Sequence, residues 1–419
     1  MENRSNLKNR LESHLSPKQL AFIKQAVSVA SKYKVSLYLV GGAVRDLLLN
    51  IPIRDLDLVV EGEANLLADK LAKEISGKVI SLSQFNTAKI VFPDGEIDLV
   101  SARSEIYPDP GDLPVVKLGS IQDDLLRRDF TINAMAVRLS PGQFGTLLDP
   151  CNGQQDLQMK LIRVLHDSSF RDDATRIIRA VRYEQRLQLN LEDATAQLLN
   201  RDVSMLCSIR GHRLRRALEE TFMEEQPWLA LERLTRLGAL NAIFLHLDGI
   251  TNPNTDLTAL RESIHNLTGL HYLAWLGYRL NHGQDEQFIS RLNMSKAWAN
   301  VIRDIGYVRK VIADKKTIHS PVSTYRELKD RALEAVEVAT ALQLKDSYEN
   351  KVMQRYLNEW RNLRPILTSH RLIQLGIPKG PELGKVRQAL VESHLGEGKV
   401  TVKDEEAIVS EALEKLKQE

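Results

Sequence analysis

Short apolar runs, alternating or β-branched, crowd the first third of the chain, whereas longer runs with a period near 3.6 fill the rest. LYLV (37–40), DLDLVV (55–60), KVISL (78–82), KIVF (89–92) and EIDLVSA (96–102) are punctuated by Gly42, Gly62, Gly77 and the turn Pro93-Asp94-Gly95. They predict a small mixed sheet. NLLADKLAKEI (65–75) carries its apolar residues at helical spacing, so a helix is expected between two of the strands. Beyond about residue 150 the segments RIIRAVRYEQRLQL, HRLRRALEETF, WLALERLTRLGAL and RELKDRALEAVEVATALQL are all helical in period. Gly211, Pro227, Gly238, Asn252-Pro253-Asn254 and Gly380-Pro381 separate these helices, and no repeat of fixed length is present. The fold class this implies is α+β: a head with a small mixed sheet, followed by an elongated all-helical remainder.

Composition narrows the picture. A chain of 419 residues has room for two to four domains. The 57 basic and 55 acidic side chains leave a formal charge of +2, which excludes a polycation that holds nucleic acid by bulk charge. Any nucleic-acid surface must be local. An aromatic share of 5% argues against a stacking platform or a β-rich design. Cys151 and Cys207 form no CxxC pair, so neither a disulfide framework nor a zinc-thiolate site is expected, and a reducing cytoplasm fits. The first residues, MENRSNLKNRLESHLS, lack the apolar centre of a signal peptide, and no later run has the length of a membrane span.

The densest chemistry lies in YLVGGAVRDLLLNIPIRDLDLVV (38–60). A strand delivers Gly41 and Gly42, which let backbone amides approach an anion, and the helix that follows favours phosphate at its start. Arg45 adds a charged fork. Asp55 and Asp57, one residue apart at the start of an extended run, point to the same face and can share a divalent cation such as magnesium. Asp98, in EIDLVSAR, is a third carboxylate on a strand able to pair beside them. Converging acids repel unless cations neutralise them, as in two-metal phosphoryl transfer sites. Neither GxGxxG nor GxxxxGK[ST] occurs, which counts against a dinucleotide fold, a P-loop and an oxidoreductase.

GGAVRD, DLD, RRDFTINAMAV (127–137), DPCNGQQDLQMKLIRVL (149–165) and FRDDATRIIRAVRY (170–183) resemble, in the same order, the signature segments of the class II tRNA nucleotidyltransferases. These enzymes build or repair the CCA end of tRNA, and bacterial poly(A) polymerases share their fold. The resemblance implies a polymerase-β-like head over 1–137, a helical neck over 138–222 and a helical body and tail over 223–419. It puts magnesium on Asp55 and Asp57, which activate the 3′ hydroxyl of the RNA, and places the triphosphate on Gly42 and Arg45. Arg128 resembles the family's phosphate-contacting arginine, with Asp129 and Asn133 toward the ribose hydroxyls. The family's EDxxR reads Asp172-Asp173-Ala174-Thr175-Arg176 here, its first acid one methylene short. Asp173 and Arg176, three apart and expected on one helix face, would read the amino donor and ring acceptor shared by cytosine and adenine. Uracil and guanine present the opposite pattern. Arg179 would reach the phosphates.

The expected partners are the tRNA 3′ end, ATP and possibly CTP, with magnesium as cofactor and no membrane. The Pro- and Gly-punctuated segment 101–125 is not grossly shortened, whereas the resemblance implies shortening in enzymes that add only CC. Whether the whole CCA or only its terminal A is added stays open, because in the family that choice depends on the geometry of neck and loop rather than on ligand identity. Poly(A) polymerase and a non-catalytic RNA-binding protein are the alternatives. RNA contacts are expected from local patches at Arg210, Arg213, Arg215 and Arg216, and at Arg303, Arg309, Lys310, Arg361 and Arg364. His166-Asp167 reads as a loop pair, and the four tryptophans as packing residues.

Overall fold

The computed structural model describes residues 6–53, 56–82, 86–92, 95–106, 115–250, 252–396 and 400–418, so Asp55 lies outside the described residues. The chain divides into two compact units, Met1–Ile243 and Phe244–Glu419. No helix among the described residues is long and apolar enough to cross a membrane.

The first unit is built on a seven-stranded mixed sheet. Its strands are β1 (Ser36–Val40), β2 (Asp57–Glu61), β3 (Lys78–Leu82), β4 (Thr87–Phe92), β5 (Gly95–Ser101), β8 (Ala136–Arg138) and β9 (Leu147–Leu148), in the order β3-β4-β5-β2-β1-β8-β9. Only β2 and β5 run parallel; the other pairs are antiparallel. Leu37, Leu39, Leu58 and Val60 are fully buried, and helices α2 (Pro17–Lys32) and α4 (Ala64–Glu74) pack against the sheet. Ser16 and Gln19 close a capping box that starts α2, with Pro17 in its first turn. In β1 and β2, Tyr38, Val40 and Val59 alternate with these leucines and pack with Ile121 and Leu125 of α5 (Ile121–Leu126). The five strands and the connecting helix read from the sequence all appear.

The segment 101–125, which lacks a clear period, forms a two-stranded ribbon of β6 (Arg103–Ile106) and β7 (Val115–Leu118) and then α5. Short strands carrying Arg103, Glu105 and Lys117 among apolar residues give a weak alternation signal. The head boundary expected at 137 falls inside β8, whose hydrogen-bonded partner β9 lies beyond it, and the first compact unit holds both the head and the neck segments. Its helical part comprises α6 (Gly153–Gln158), α7 (Ser169–Asp172), α8 (Thr175–Leu187), α9 (Asp193–Asp202), α10 (Gly211–Phe222), α11 (Pro227–Arg236) and α12 (Ala239–Ile243). Helices α10 and α11 both pack on α8.

Among the described residues of the second unit, every regular element is a helix, joined by turns and short loops. Helix Gly269–Gly277 is buried from His271 onward and packs against Lys296–Ala313 and Leu333–Ala341. Trp275 is fully buried with its Nε1 donating to Asp256, and Trp298 and Trp360 are also buried. Leu367, Leu372, Ile377, Val386, Leu390 and Val409 make a separate apolar cluster near the C-terminal end.

Candidate active site

A cleft of about 980 Å³ in the first unit brings together residues far apart in sequence. Gly42, Arg45, Asp57, Arg128, Asp129, Asn133, Asp173, Arg176 and Arg179 all line it. β1 ends at Val40 and is followed by Gly41, whose φ of +66° favours glycine, and a Cβ there would sit 2.6 Å from Arg128 Nη1. The missing side chain therefore lets Arg128 approach the turn that opens α3 (Gly42–Leu48).

Beyond that turn the cleft wall is a continuous polar network. Arg45, 2% exposed, donates through Nε and Nη2 to Asp46 Oδ1 and through Nη1 to Asn133 Oδ1, the last at 2.6 Å. Asn133 Nδ2 donates to Asp129 Oδ1 at 3.0 Å, and Asp129 Oδ2 accepts from Arg179 Nε at 2.8 Å. Burial alone would raise the Asp129 carboxyl, but the Arg179 charge, the Asn133 bond and Arg176 outweigh it and hold the group below its usual range. The same ion pair raises Arg179. Tyr183 on α8 forms the hub: the guanidinium carbons of Arg45, Arg179, Arg182 and Arg186 lie 5.1, 5.5, 5.4 and 5.3 Å from its ring centroid. Arg45 and Arg182 are buried and Arg179 is half-buried, and their partners hold them as a preorganised cationic wall.

Arg127 and Arg128 flank this wall from the end of α5. Both fork onto the fully buried Asp124, at 2.6 and 2.8 Å, and Arg127 also reaches Glu105 on β6. Burial raises the Asp124 carboxyl, but the two guanidinium charges prevail and lower it. Beneath them, Asp149 caps Gly153 and Gln154 at the start of α6. Asp156 of α6 accepts from Thr131 in the turn that carries Asn133. A Cβ on Gly153 would lie 2.2 Å from the Thr131 carbonyl oxygen, so this glycine permits the close packing that supports Asn133.

The acids stand on the sheet. Asp57 and Asp98 are register partners on the parallel pair β2 and β5, so they project from the same face. Asp57 is exposed and lines the cleft, whereas Asp98 pairs with Lys89 at 3.4 Å and lies outside the lining. Neighbouring carboxylates of this kind are a donor set that suits a hard divalent cation. Among the described residues no group of three metal-ligating side chains occurs.

The base-reading pair needs a correction. Asp173 is not on a helix face with Arg176: its backbone is extended (φ −145°, ψ 96°), and it ends α7 while Thr175 begins α8. A carboxylate preceding a helix bonds the free amides of the first turn more favourably than it fits the interior. Accordingly Asp173 Oδ1 accepts from Thr175 N at 2.9 Å and Thr175 Oγ1 at 2.6 Å. Arg176, 5% exposed, donates to Ser169 Oγ at 2.7 Å and to the Arg127 carbonyl at 2.9 Å. Both side chains still line the one cleft. Asp172, the shortened acid, faces His166 at 3.8 Å.

The basic patches also differ from expectation. Arg213 pairs with Asp173 at 2.7 Å instead of facing outward, because α10 packs against α8. Arg216 is exposed, pairs with Glu220 and lines the cleft, while Arg210 is exposed at the start of α10. In the second unit Arg309 donates to the carbonyls of Tyr278 and Leu280, which close a helix end, and adjacent Lys310 is exposed. Tyr183, Asp124 and Asp46 were missed by the sequence reading. Asp46 and Asp124 sit next to or one turn before arginines already singled out, whereas nothing in the chain signals that four arginines share one ring.

A family model for the poly A polymerase head domain matches residues 37–163. An A-adding tRNA nucleotidyltransferase of Geobacter sulfurreducens is 35% identical over 94% of this chain, and the chain spans 47%, about half, of that relative's length. An A-adding tRNA nucleotidyltransferase of Halalkalibacterium halodurans is 32% identical over 90% of this chain and 88% of its own. Among solved structures, a CCA-adding enzyme without ligand superposes with a TM-score of 0.81 at 28% identity, covering 99% of this chain and all of that one. A CCA-adding enzyme with ATP gives 0.78 at 28% over 99% and 100%. The Thermotoga maritima CCA-adding enzyme with tRNA gives 0.74 at 27% over the same shares. With its glycine turn, Asp57 and its arginine wall facing one cleft, and with likeness over most of the Halalkalibacterium halodurans relative's length, the chain belongs to the class II tRNA nucleotidyltransferase family.

Proposed function

We propose that the chain transfers the AMP unit of ATP to the 3′ hydroxyl of tRNA ending in CC, forming the new phosphodiester at the α-phosphorus and completing CCA with release of pyrophosphate. One observation carries the reading: Asp57, the Arg45–Asn133–Asp129–Arg179 network and the pair Asp173 and Arg176 line the same cleft. The two relatives above are both A-adding enzymes. The reaction is in-line attack of a 3′ hydroxyl on the α-phosphorus, so orientation and charge placement do most of the work. Arg45 and Arg179 supply fixed cationic charge for the triphosphate, and Arg128 stands beside the glycine turn to reach the phosphates. Asp129 and Asn133 offer polar groups to the ribose, which penalises a nucleotide lacking the 2′ hydroxyl. Asp173 accepts from the exocyclic amine of the base, and Arg176 donates to its ring nitrogen. Asp57, with Asp55 beyond the described residues, would hold magnesium, which supplies charge neutralisation at the reacting phosphate. Asp98 sits beside Asp57 on the sheet but is paired with Lys89 outside the cleft lining, so of these two acids it is Asp57 that faces the nucleotide. Arg210, Arg216 and Lys310 remain exposed cations suited to RNA phosphates. The reaction belongs to the cytoplasm.

Full CCA addition is the second reading, favoured by the likeness over nearly the whole chain to CCA-adding enzymes. Purified protein incubated with magnesium, tRNAs ending before C, in C or in CC, and each labelled nucleotide separates the two. Adenosine incorporated only onto the CC end supports the proposal. Cytidine incorporated onto the shorter ends establishes the second reading, and long A tails on any RNA would refute both.

A further inference from the structure

The two oxygens of Asp173 are used unequally. A carboxylate offers about four acceptor directions. Thr175 takes two of them at Oδ1 through its amide and its hydroxyl, and Arg213 Nη2 takes one at Oδ2 from 2.7 Å. One direction on Oδ2 is left, and the side chain that owns it lines the cleft. Thr175 alone already fastens Asp173 to the start of α8, so Arg213 adds something a helix cap does not need. It fixes which way the second oxygen looks, and it spends one of the two directions that oxygen has.

We propose that Arg213 is a specificity-determining positioning residue: by holding Asp173 Oδ2 it leaves a single, fixed acceptor for the exocyclic amine of the incoming base. The proposal rests on the nucleotide-transfer reading above and goes beyond it by naming what aims the base reader. With one acceptor aimed at one place, adenine and cytosine satisfy it, while guanine and uracil bring an acceptor oxygen against it. A buried mismatch of two acceptors is penalised far more than a poor contact. Without Arg213 the oxygen has two open directions and can turn away from a mismatched base or take a water. Arg213 thus acts on the choice among nucleotides through Asp173 and touches no reacting atom.

The test measures transfer of each of the four ribonucleotides to tRNA ending in CC by the full-length wild type, Arg213→Ala and Arg213→Lys, with thermal melts alongside. In Arg213→Ala the ratios of kcat/KM for ATP over GTP and ATP over UTP are expected to fall by about ten-fold or more. Arg213→Lys restores most of the ratio, since a single ammonium still occupies one direction on Oδ2. If Arg213→Ala does not fold, Arg213→Gln is read in its place. The proposal is overturned if all four nucleotides change by one common factor, if the ratios stay at the wild-type value, or if Arg213→Lys discriminates no better than Arg213→Ala. Absence of any transfer by the wild type is a separate failure, that of the underlying function.

Discussion

The arginines of the first unit's cleft and those of the second unit's basic helix look alike in sequence and behave differently in the fold. In the cleft, Arg45 and Arg179 are bonded side chain to side chain and share the Tyr183 ring, so their charge is aimed into an open volume. In the helix Lys296–Ala313, Arg309 spends its donors on the carbonyls of Tyr278 and Leu280, and Arg303 pairs with Glu286 at the surface. An arginine becomes a ligand-binding group when its partners hold it at the edge of a cavity, and a structural clamp when backbone carbonyls consume it.

The sharpest contrast comes from Asp57→Ala. It should lower transfer by on the order of a thousand-fold or more while shifting stability by less than about 1 kcal/mol, since the side chain is exposed. Steady-state rates and urea melts check both halves; comparable loss of folding would remove the catalytic assignment. Next, Arg45→Met should cost about 3 kcal/mol of stability, because Asp46 and Asn133 lose a buried charged partner, and should also raise KM for ATP. Tyr183→Leu should raise KM for ATP several-fold, and Tyr183→Phe, which keeps the ring, much less. In the second unit, Arg309→Met should cost about 1 to 3 kcal/mol without altering KM for ATP, and Lys310→Ala should stay within about 0.5 kcal/mol. A change in nucleotide affinity in either would erase the distinction between the regions.

Acid sharpens the comparison further. Asp124 and Asp129 are held below the usual carboxylate range in the folded state. A depressed folded value means their stabilisation is complete above the unfolded value near 4 and is lost as pH falls through the folded one. The cleft should therefore loosen below about pH 4, and Asp129→Asn should flatten part of that acid limb in a melt-versus-pH series.

The strands were legible because β1 and β2, buried on both faces, write short continuous apolar runs while β4 and β5 alternate, and the helices because one face is buried. The ribbon of β6 and β7 escaped because each strand is short and bordered by Pro108, Pro110 and Pro114. At the site, residue types and order pointed to Gly41, Arg45 and Asp57, since turn, fork and acid each have a local signature, whereas Asn133 came only from the family resemblance. Partners were illegible: nothing in the sequence puts Arg213 on Asp173 or Arg179 on Asp129, since those contacts arise from how α8, α10 and the turn at Thr131–Asn133 pack. Asp173 itself was misplaced because a spacing of three suggests one helix face, whereas an aspartate just ahead of a helix caps it.

The central claim is that amino-acid side chains in the first unit's cleft choose the base. Equilibrium binding of ATP, GTP and UTP to Asp57→Ala, where turnover is removed, and to Asp57→Ala combined with Asp173→Ala, tests it most directly. The account predicts that the single variant binds ATP at least about ten-fold more tightly than GTP or UTP, and that the double variant binds all three alike. Equal binding by the single variant, or an undiminished preference in the double variant, would contradict it.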